Sequence, residues 1–278
     1  MLDDKLEHLR AQLRDMGRVL VTFSGGVDSA LVLKVAHDTL GDGVVALTAL
    51  SPTLAPEEGD SARRFATLLG VTHEVVDSNE LEREGYARNE GNRCYFCKSE
   101  LFALATARAE ALGIRWVLDG TILDDLSGHR PGLVAATENG VRHPLVDAGF
   151  TKPEVRAAAR QLGLDVWDKP SFACLGSRFP AGTRVTVERI RRVQRVESVL
   201  RTLGLRQFRV RFHALDGEDL ARIEVDPAHL AIVVEPATRA AILAAGRAEG
   251  FAWVTVDLDG YRSGNGSVRP ADTAAPPR

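Results

Sequence analysis

Residues 18–23 (RVLVTF) form a short, largely apolar, β-branched run that breaks into Ser24-Gly25-Gly26-Val27-Asp28-Ser29 and then into the helical stretch ALVLKVAHDTLG. A buried strand that feeds a glycine-rich turn and then a helix suits a parallel sheet, and the residues that follow keep the same alternation. Strands are expected at 44–50, 72–76 and 115–119, with helices at 56–69 and around 98–112 between them. Ahead of this series Leu2, Leu6, Leu9, Leu13 and Met16 recur at spacings of three and four, which predicts a helix ending near Gly17. Strands alternating with helices of ten to fifteen residues predict an α/β fold with a doubly wound parallel sheet. In such sheets ligands bind beyond the carboxyl ends of the strands, where the Ser24–Ser29 turn falls.

That turn has the chemistry of an anion site. The first turn of a helix carries backbone N–H groups without intrahelical partners, at the positive end of the helix dipole. Gly25 and Gly26 allow the backbone to approach phosphate oxygens, and the hydroxyls of Ser24 and Ser29 add donors. Asp28 suits the dipole and is also placed to help hold a magnesium ion on the phosphates. It is not a Walker A loop, because no GK[ST] follows the glycines.

The chain is long for one domain, and its second half reads differently. Thr151-Lys152-Pro153-Glu154 has the pattern of a capping box and opens a helix that runs to Gly163. Trp167-Asp168-Lys169-Pro170 then leads into SFACLGSRFPAG, rich in small residues and turn formers, and the domain junction is placed there. The expected division is a nucleotide-binding domain over 1–170, a smaller α+β domain over 171–262, and a disordered tail over 263–278. The second domain is expected to hold a helix at 187–203, strands at 208–212 and 221–225, a helix from 236 to about 250, and a strand at 252–258.

Lysine and arginine total 35 against 38 acidic residues, for a net charge of −3, which gives no support for a basic nucleic-acid-binding surface. The N-terminal residues are charged throughout and no apolar run approaches the ~18 residues needed to span a bilayer, so a soluble cytoplasmic protein is expected. Three cysteines cannot form a fully paired disulfide framework. Cys94 and Cys97 form a C-x-x-C beside Lys98, a spacing that can chelate one metal centre or form a redox pair. Zinc usually takes four ligands, and only Cys174 remains to be added, with no histidine at zinc-finger spacing. A three-cysteine [4Fe–4S] cluster with one open iron fits the count better, and three ordinary core cysteines are the plain alternative.

SGGVDS resembles the signature of the ATP pyrophosphatase superfamily, the PP-loop proteins, and implies ATP cleavage between the α and β phosphates. The resemblance extends along nearly the whole chain to the LarE family of ATP-dependent sulfur transferases. It is carried by SGGVDS, the LDGT…HRPG stretch from Leu118 to Gly132, AGFTKPEVR, WDKPSFACLGSRFPAGT, RVRFH, ARIE and DLDGYRSG. It implies that ATP and magnesium adenylate a carboxylate of pyridinium-3,5-biscarboxylic acid mononucleotide, that sulfur replaces AMP, and that two rounds give the dithiocarboxylate of the nickel-pincer cofactor of lactate racemase.

Two sulfur sources occur in that family: one sacrificial cysteine, or a [4Fe–4S] cluster on three cysteines. The sacrificial position aligns at Ala173, or at Cys174 with a one-residue gap; Cys94 and Cys97 together with Cys174 favour the cluster. On this resemblance Cys174, Asp28, Ser177 and Arg178 are the expected catalytic residues, and Ser24 to Ser29, Lys98, Arg209 and Arg211 the expected nucleotide and substrate contacts. Ser177 and Arg178 supply a hydroxyl and a guanidinium suited to phosphate. Arg209 and Arg211 alternate with apolar residues and so share one strand face. Glu197 and Glu224 match acidic positions suited to a metal, against the plain reading of solvated glutamates. His129 and His143 flank these segments but are not at metal spacing and receive no role. A homo-oligomer acting on a small molecule is expected. A tRNA thiolase or an amidotransferase-like synthetase on the same scaffold is the alternative enzyme, and a nucleotide-sensing regulator the non-enzymatic one.

Overall fold

The computed structural model describes residues 1–127, 130–170 and 173–262. They divide into two compact units. The first comprises Met1–Glu80 and Asn92–Phe172; the second comprises Leu81–Gly91 and the chain from Ala173 onward.

In the first unit β1 (Val19–Thr22), β2 (Val44–Leu50), β3 (Thr72–Asp77) and β4 (Trp116–Leu118) form one parallel sheet in the order β3-β2-β1-β4. Successive strand residues point to opposite faces, so β1 and the first five residues of β2, buried on both, are apolar except for Thr22 and Thr48, whose hydroxyls donate to Leu118 O and Phe23 O. Val19, Val21, Val44 and Ala46 enter one core with α1 (Leu2–Met16), α2 (Val27–Leu40), α3 (Pro56–Leu69) and the helix Lys152–Gln161. Leu20, Val45 and Leu47 enter the opposite core, against Phe102, Ala105 and Ala109 of the helix Arg93–Ala111 and Ala135 and Ala136 of the helix Pro131–Glu138. Helices on both faces make the doubly wound α/β arrangement that the alternation predicts. The expected capping box forms: the Glu154 carboxylate accepts from Thr151 N at 2.9 Å and from Thr151 Oγ1 at 2.7 Å, with Lys5 Nζ at 2.6 Å.

The helix expected around 98–112 begins at Arg93 instead, which puts the whole C-x-x-C in its first turns. Short helices at Glu84–Ala87, Pro131–Glu138 and Pro144–Asp147 carry no long apolar period and were not expected.

The second unit packs the helix Val187–Thr202 on a three-stranded sheet of β5 (Phe208–Ala214), β6 (Asp219–Val225) and β7 (Trp253–Val256), with the helix Pro236–Ala248 preceding β7. β5 and β6 are antiparallel, β6 and β7 parallel. Ile190, Val193, Val196 and Leu200 bury one helix face, and Phe208, Val210 and Phe212 are fully buried beneath. Segment 81–91, expected inside the first domain, is fastened here: Val185 N donates to Ala87 O, Gly182 N donates to Asn89 O, and Arg184 pairs with Glu84 through bonds of 2.7 and 2.8 Å. The Asn89 amide donates to the carbonyls of Phe179, Pro180 and Thr183, which holds the turn-rich stretch in shape. The 263–278 tail, like His129, lies outside the described residues. Among the described residues no single helix is long and apolar enough to cross a membrane.

Candidate active site

In the first unit the Ser24–Ser29 turn emerges at the carboxyl end of β1, as its place between strand and helix requires. Val27 is buried and anchors the start of α2, whose cap residue Gly26 receives no side-chain capping bond. The first-turn amides of α2 are therefore not taken by a cap, which is the condition for an anion site. Gly25 sits at φ 74°, a left-handed conformation that disfavours side chains, and a Cβ on it would touch Ala62 at 3.4 Å. The Ser24 and Ser29 hydroxyls lie 3.1 Å apart, and Ser29 Oγ donates to Gly26 O, so the two serines brace the turn from within.

Charged groups from distant sequence surround it. Lys152 Nζ donates to both oxygens of Asp28, at 2.8 and 2.7 Å. Lys169 Nζ donates to Gly25 O at 3.0 Å and to Glu58 Oε2 at 2.8 Å. Asp119, at the end of β4, accepts from Thr121 N and Oγ1 and bonds His143 Nδ1 at 2.7 Å. Burial works against the Asp119 charge, yet the His143 bond, the Lys98 charge and the Thr121 amide together hold its pKa below the ordinary carboxylate value. The next residue, Gly120, lies so close to the start of α2 that a Cβ there would stand 2.6 Å from Ser29 N. Lys98 packs along Gly132 and lies with Nζ 5.1 Å from the Phe102 ring.

None of these four extra residues, Lys152, Lys169, Asp119 and His143, was assigned a role from the sequence. Lys152 is visible there as part of a capping box and Lys169 as part of a turn, and both lie in stretches that carry the family resemblance. Their partners are 124 and 144 residues away, beyond any local spacing.

Cys94 is exposed and Cys97 half-buried, both near the start of the helix Arg93–Ala111, and neither forms a disulfide. In the second unit the half-buried Cys174 caps the short turn Leu175–Arg178. Among the described residues no group of three His, Cys, Asp or Glu side chains is gathered to hold a metal ion.

The arginines of the second unit are more deeply buried than the sequence indicates. Arg178 is 1% exposed; its Nε and Nη2 donate to the two oxygens of Glu197 at 2.8 and 3.0 Å. Its Nη1 donates to Ala173 O, Cys174 O and Ser177 Oγ, so this guanidinium shapes the cysteine-bearing turn instead of presenting an open fork to phosphate. Arg211 pairs with Glu224 and donates to Ser177 O at 2.8 Å. Arg209 is also buried, stacked 4.8 Å from the Tyr261 ring; burial and the neighbouring Arg178 charge lower its pKa to about 10. Glu197 also accepts from Val210 N, and Glu224 Oε1 lies 3.2 Å from Arg222 Nη2. Both glutamates are thus buried counter-ions of arginines, which corrects their plain reading as solvated residues.

A parallel sheet whose first strand opens through Ser24-Gly25-Gly26-Val27-Asp28-Ser29 onto an uncapped helix defines a nucleotide-binding domain of the PP-loop class. The comparisons agree. A family described as asparagine synthase matches residues 2–88. An uncharacterized protein of Synechocystis sp., slr1717, is 47% identical over 264 residues, covering 95% of this chain and 97% of the relative. The pyridinium-3,5-bisthiocarboxylic acid mononucleotide synthase of Lactiplantibacillus plantarum is 39% identical over 266 residues, or 95% of this chain and 94% of the relative. The tRNA-specific 2-thiouridylase MnmA of Mycolicibacterium smegmatis is 33% identical over 187 residues, covering 55% of this chain and 52% of that enzyme. The chain belongs to the LarE family of ATP-dependent sulfur transferases.

Proposed function

We propose that this chain makes pyridinium-3,5-bisthiocarboxylic acid mononucleotide from the corresponding biscarboxylic acid, with ATP as activator. The observation that carries this reading is the match to the synthase of that product along nearly the full length of both chains. The thiouridylases match only about half of each chain, and the net charge of −3 gives no support for a tRNA surface.

A carboxylate is a poor electrophile because its oxygen leaves badly. In the first step a substrate carboxylate oxygen bonds the α-phosphorus of ATP, and the bond to the bridging oxygen breaks with its electron pair on pyrophosphate. The α2 amides hold the departing pyrophosphate, a placement of fixed dipoles where charge develops, on a turn that the Ser24 and Ser29 hydroxyls brace. Asp28 offers hard oxygen donors at the same turn, which fits a magnesium ion on the phosphates. In the second step sulfur bonds the acyl carbon and the bond to AMP breaks with its electron pair on AMP. A second round converts the other carboxylate.

For the sulfur source the reading is that Cys94, Cys97 and Cys174 ligate a [4Fe–4S] cluster. The donor set supports it: two soft thiol ligands share the start of one helix, and none of the three cysteines is in a disulfide. When bound, such a cluster supplies an open iron that can carry an extra sulfide. Anaerobic reconstitution tests the assignment: about four irons per chain are expected. Iron retained after all three cysteines are changed to serine overturns it.

A further inference from the structure

The backbone of Lys169 is held on both sides. Its amide donates to Val166 O, and its carbonyl, with that of Trp167, accepts from the Arg156 guanidinium at 2.9 and 2.7 Å. From this fixed backbone Nζ reaches Gly25 O at 3.0 Å, Glu58 Oε2 at 2.8 Å and Ser61 Oγ at 3.5 Å. Lys169 and Glu58 are 18% and 17% exposed, so water screens the contact little. Glu58 balances the ammonium charge, which leaves its contact with the turn a directional one.

The peptide between Gly25 and Gly26 is a planar trans unit, so the carbonyl oxygen of Gly25 and the N–H of Gly26 point in opposite directions. Glycines on both sides make this peptide unusually free to rotate. Turned over, it would aim a carbonyl oxygen at the phosphates in place of an N–H. Apart from Lys169, the peptide is held by one long bond, in which the Gly26 N–H donates to Ser24 Oγ at 3.4 Å.

We propose that Lys169 is a positioning residue of the PP-loop: by binding the Gly25 carbonyl from behind, it keeps the Gly26 N–H on the Ser24 side of the turn, where it can pass from Ser24 Oγ to the pyrophosphate. It does so without touching the phosphates itself. The proposal rests on the reading of Ser24–Ser29 as the pyrophosphate site, and the test separates the two. The affinities of magnesium pyrophosphate and of adenosine are measured by calorimetry for the wild type, Lys169→Met, Lys169→Gln and Lys169→Arg, alongside ATP–pyrophosphate exchange.

Losing a hydrogen bond from a charged donor is expected to weaken pyrophosphate binding at least about tenfold in Lys169→Met. Adenosine affinity is expected to stay within about twofold, Lys169→Gln to lie between, and Lys169→Arg to recover most of the loss. A raised KM for pyrophosphate with a smaller change in kcat is the matching kinetic signature. Equal loss of adenosine and pyrophosphate, in the methionine and glutamine variants alike, would show a general structural role and overturn the proposal. Unchanged pyrophosphate affinity in both would overturn it as well. A wild type that binds no pyrophosphate would instead overturn the underlying reading of the loop, and the proposal with it.

Discussion

Replacing Gly120 by alanine probes how tightly the end of β4 fixes the phosphate loop. The added Cβ would stand 2.6 Å from Ser29 N and 3.0 Å from Asp28 C and Ser29 Cα, all of them backbone atoms. Carbon–heavy-atom contacts settle near 3.5 Å or beyond, so the start of α2 and the end of β4 must part by about 0.9 Å or more. Neither side yields easily. Thr22 Oγ1 bonds Leu118 O across β1 and β4, and Asp119 is tied to Thr121 and His143. Overpacking of this kind costs about 1–3 kcal/mol of stability. A displacement approaching ~1 Å at a reacting group costs about 10²-fold in rate. Gly120→Ala is therefore expected to lower ATP–pyrophosphate exchange by roughly two orders of magnitude while the protein remains folded at 25 °C in a urea titration. Exchange within about threefold of wild type, with unchanged stability, would refute the claim that this contact positions the loop.

Other outcomes follow from single contacts. Arg178→Met leaves Glu197 buried without its counter-ion and is expected to cost about 3–5 kcal/mol in urea unfolding, with Glu197→Gln also destabilising. Asp28→Ala is expected to bring AMP formation to background while leaving the far-UV circular dichroism spectrum unchanged. The Glu154 pKa is lowered to about 2, chiefly by Lys5 and by the Thr151 amide and hydroxyl. That carboxylate therefore stabilises the fold fully above its unfolded pKa near 4.5, and the contribution is lost as pH falls from there toward 2. The group is 35% exposed and solvent screens it, so the effect is small; Tm against pH for Glu154→Gln is expected to fall less steeply below pH 4.5 than for wild type.

The parallel sheet was legible because β1 and most of β2 are buried on both faces and therefore mostly apolar without alternation, a pattern that covered strands need. The loop was legible for a similarly local reason: its glycines, serines and aspartate are contiguous. What the sequence concealed is long-range. Nothing near Lys169 signals that its ammonium group reaches Gly25, and nothing near Lys152 points to Asp28. Arg178, Arg209 and Arg211 were visible as charges, but a charge gives no hint of its own burial, and so the plain reading of Glu197 and Glu224 is of solvated residues when they are buried counter-ions. Segment 81–91 was misplaced because its attachment to the second unit runs through backbone bonds and the Asn89 amide, which leave no hydrophobic period behind.

The central claim is that ATP here activates a pyridinium carboxylate for sulfur transfer. Its most direct test is to supply the reconstituted protein with magnesium ATP and pyridinium-3,5-biscarboxylic acid mononucleotide, then measure AMP, pyrophosphate and the mass of the nucleotide product. AMP and pyrophosphate formed only with this substrate, and a product with sulfur in place of carboxylate oxygen, are the expected result. AMP release that ignores the pyridinium nucleotide but responds to tRNA would contradict it.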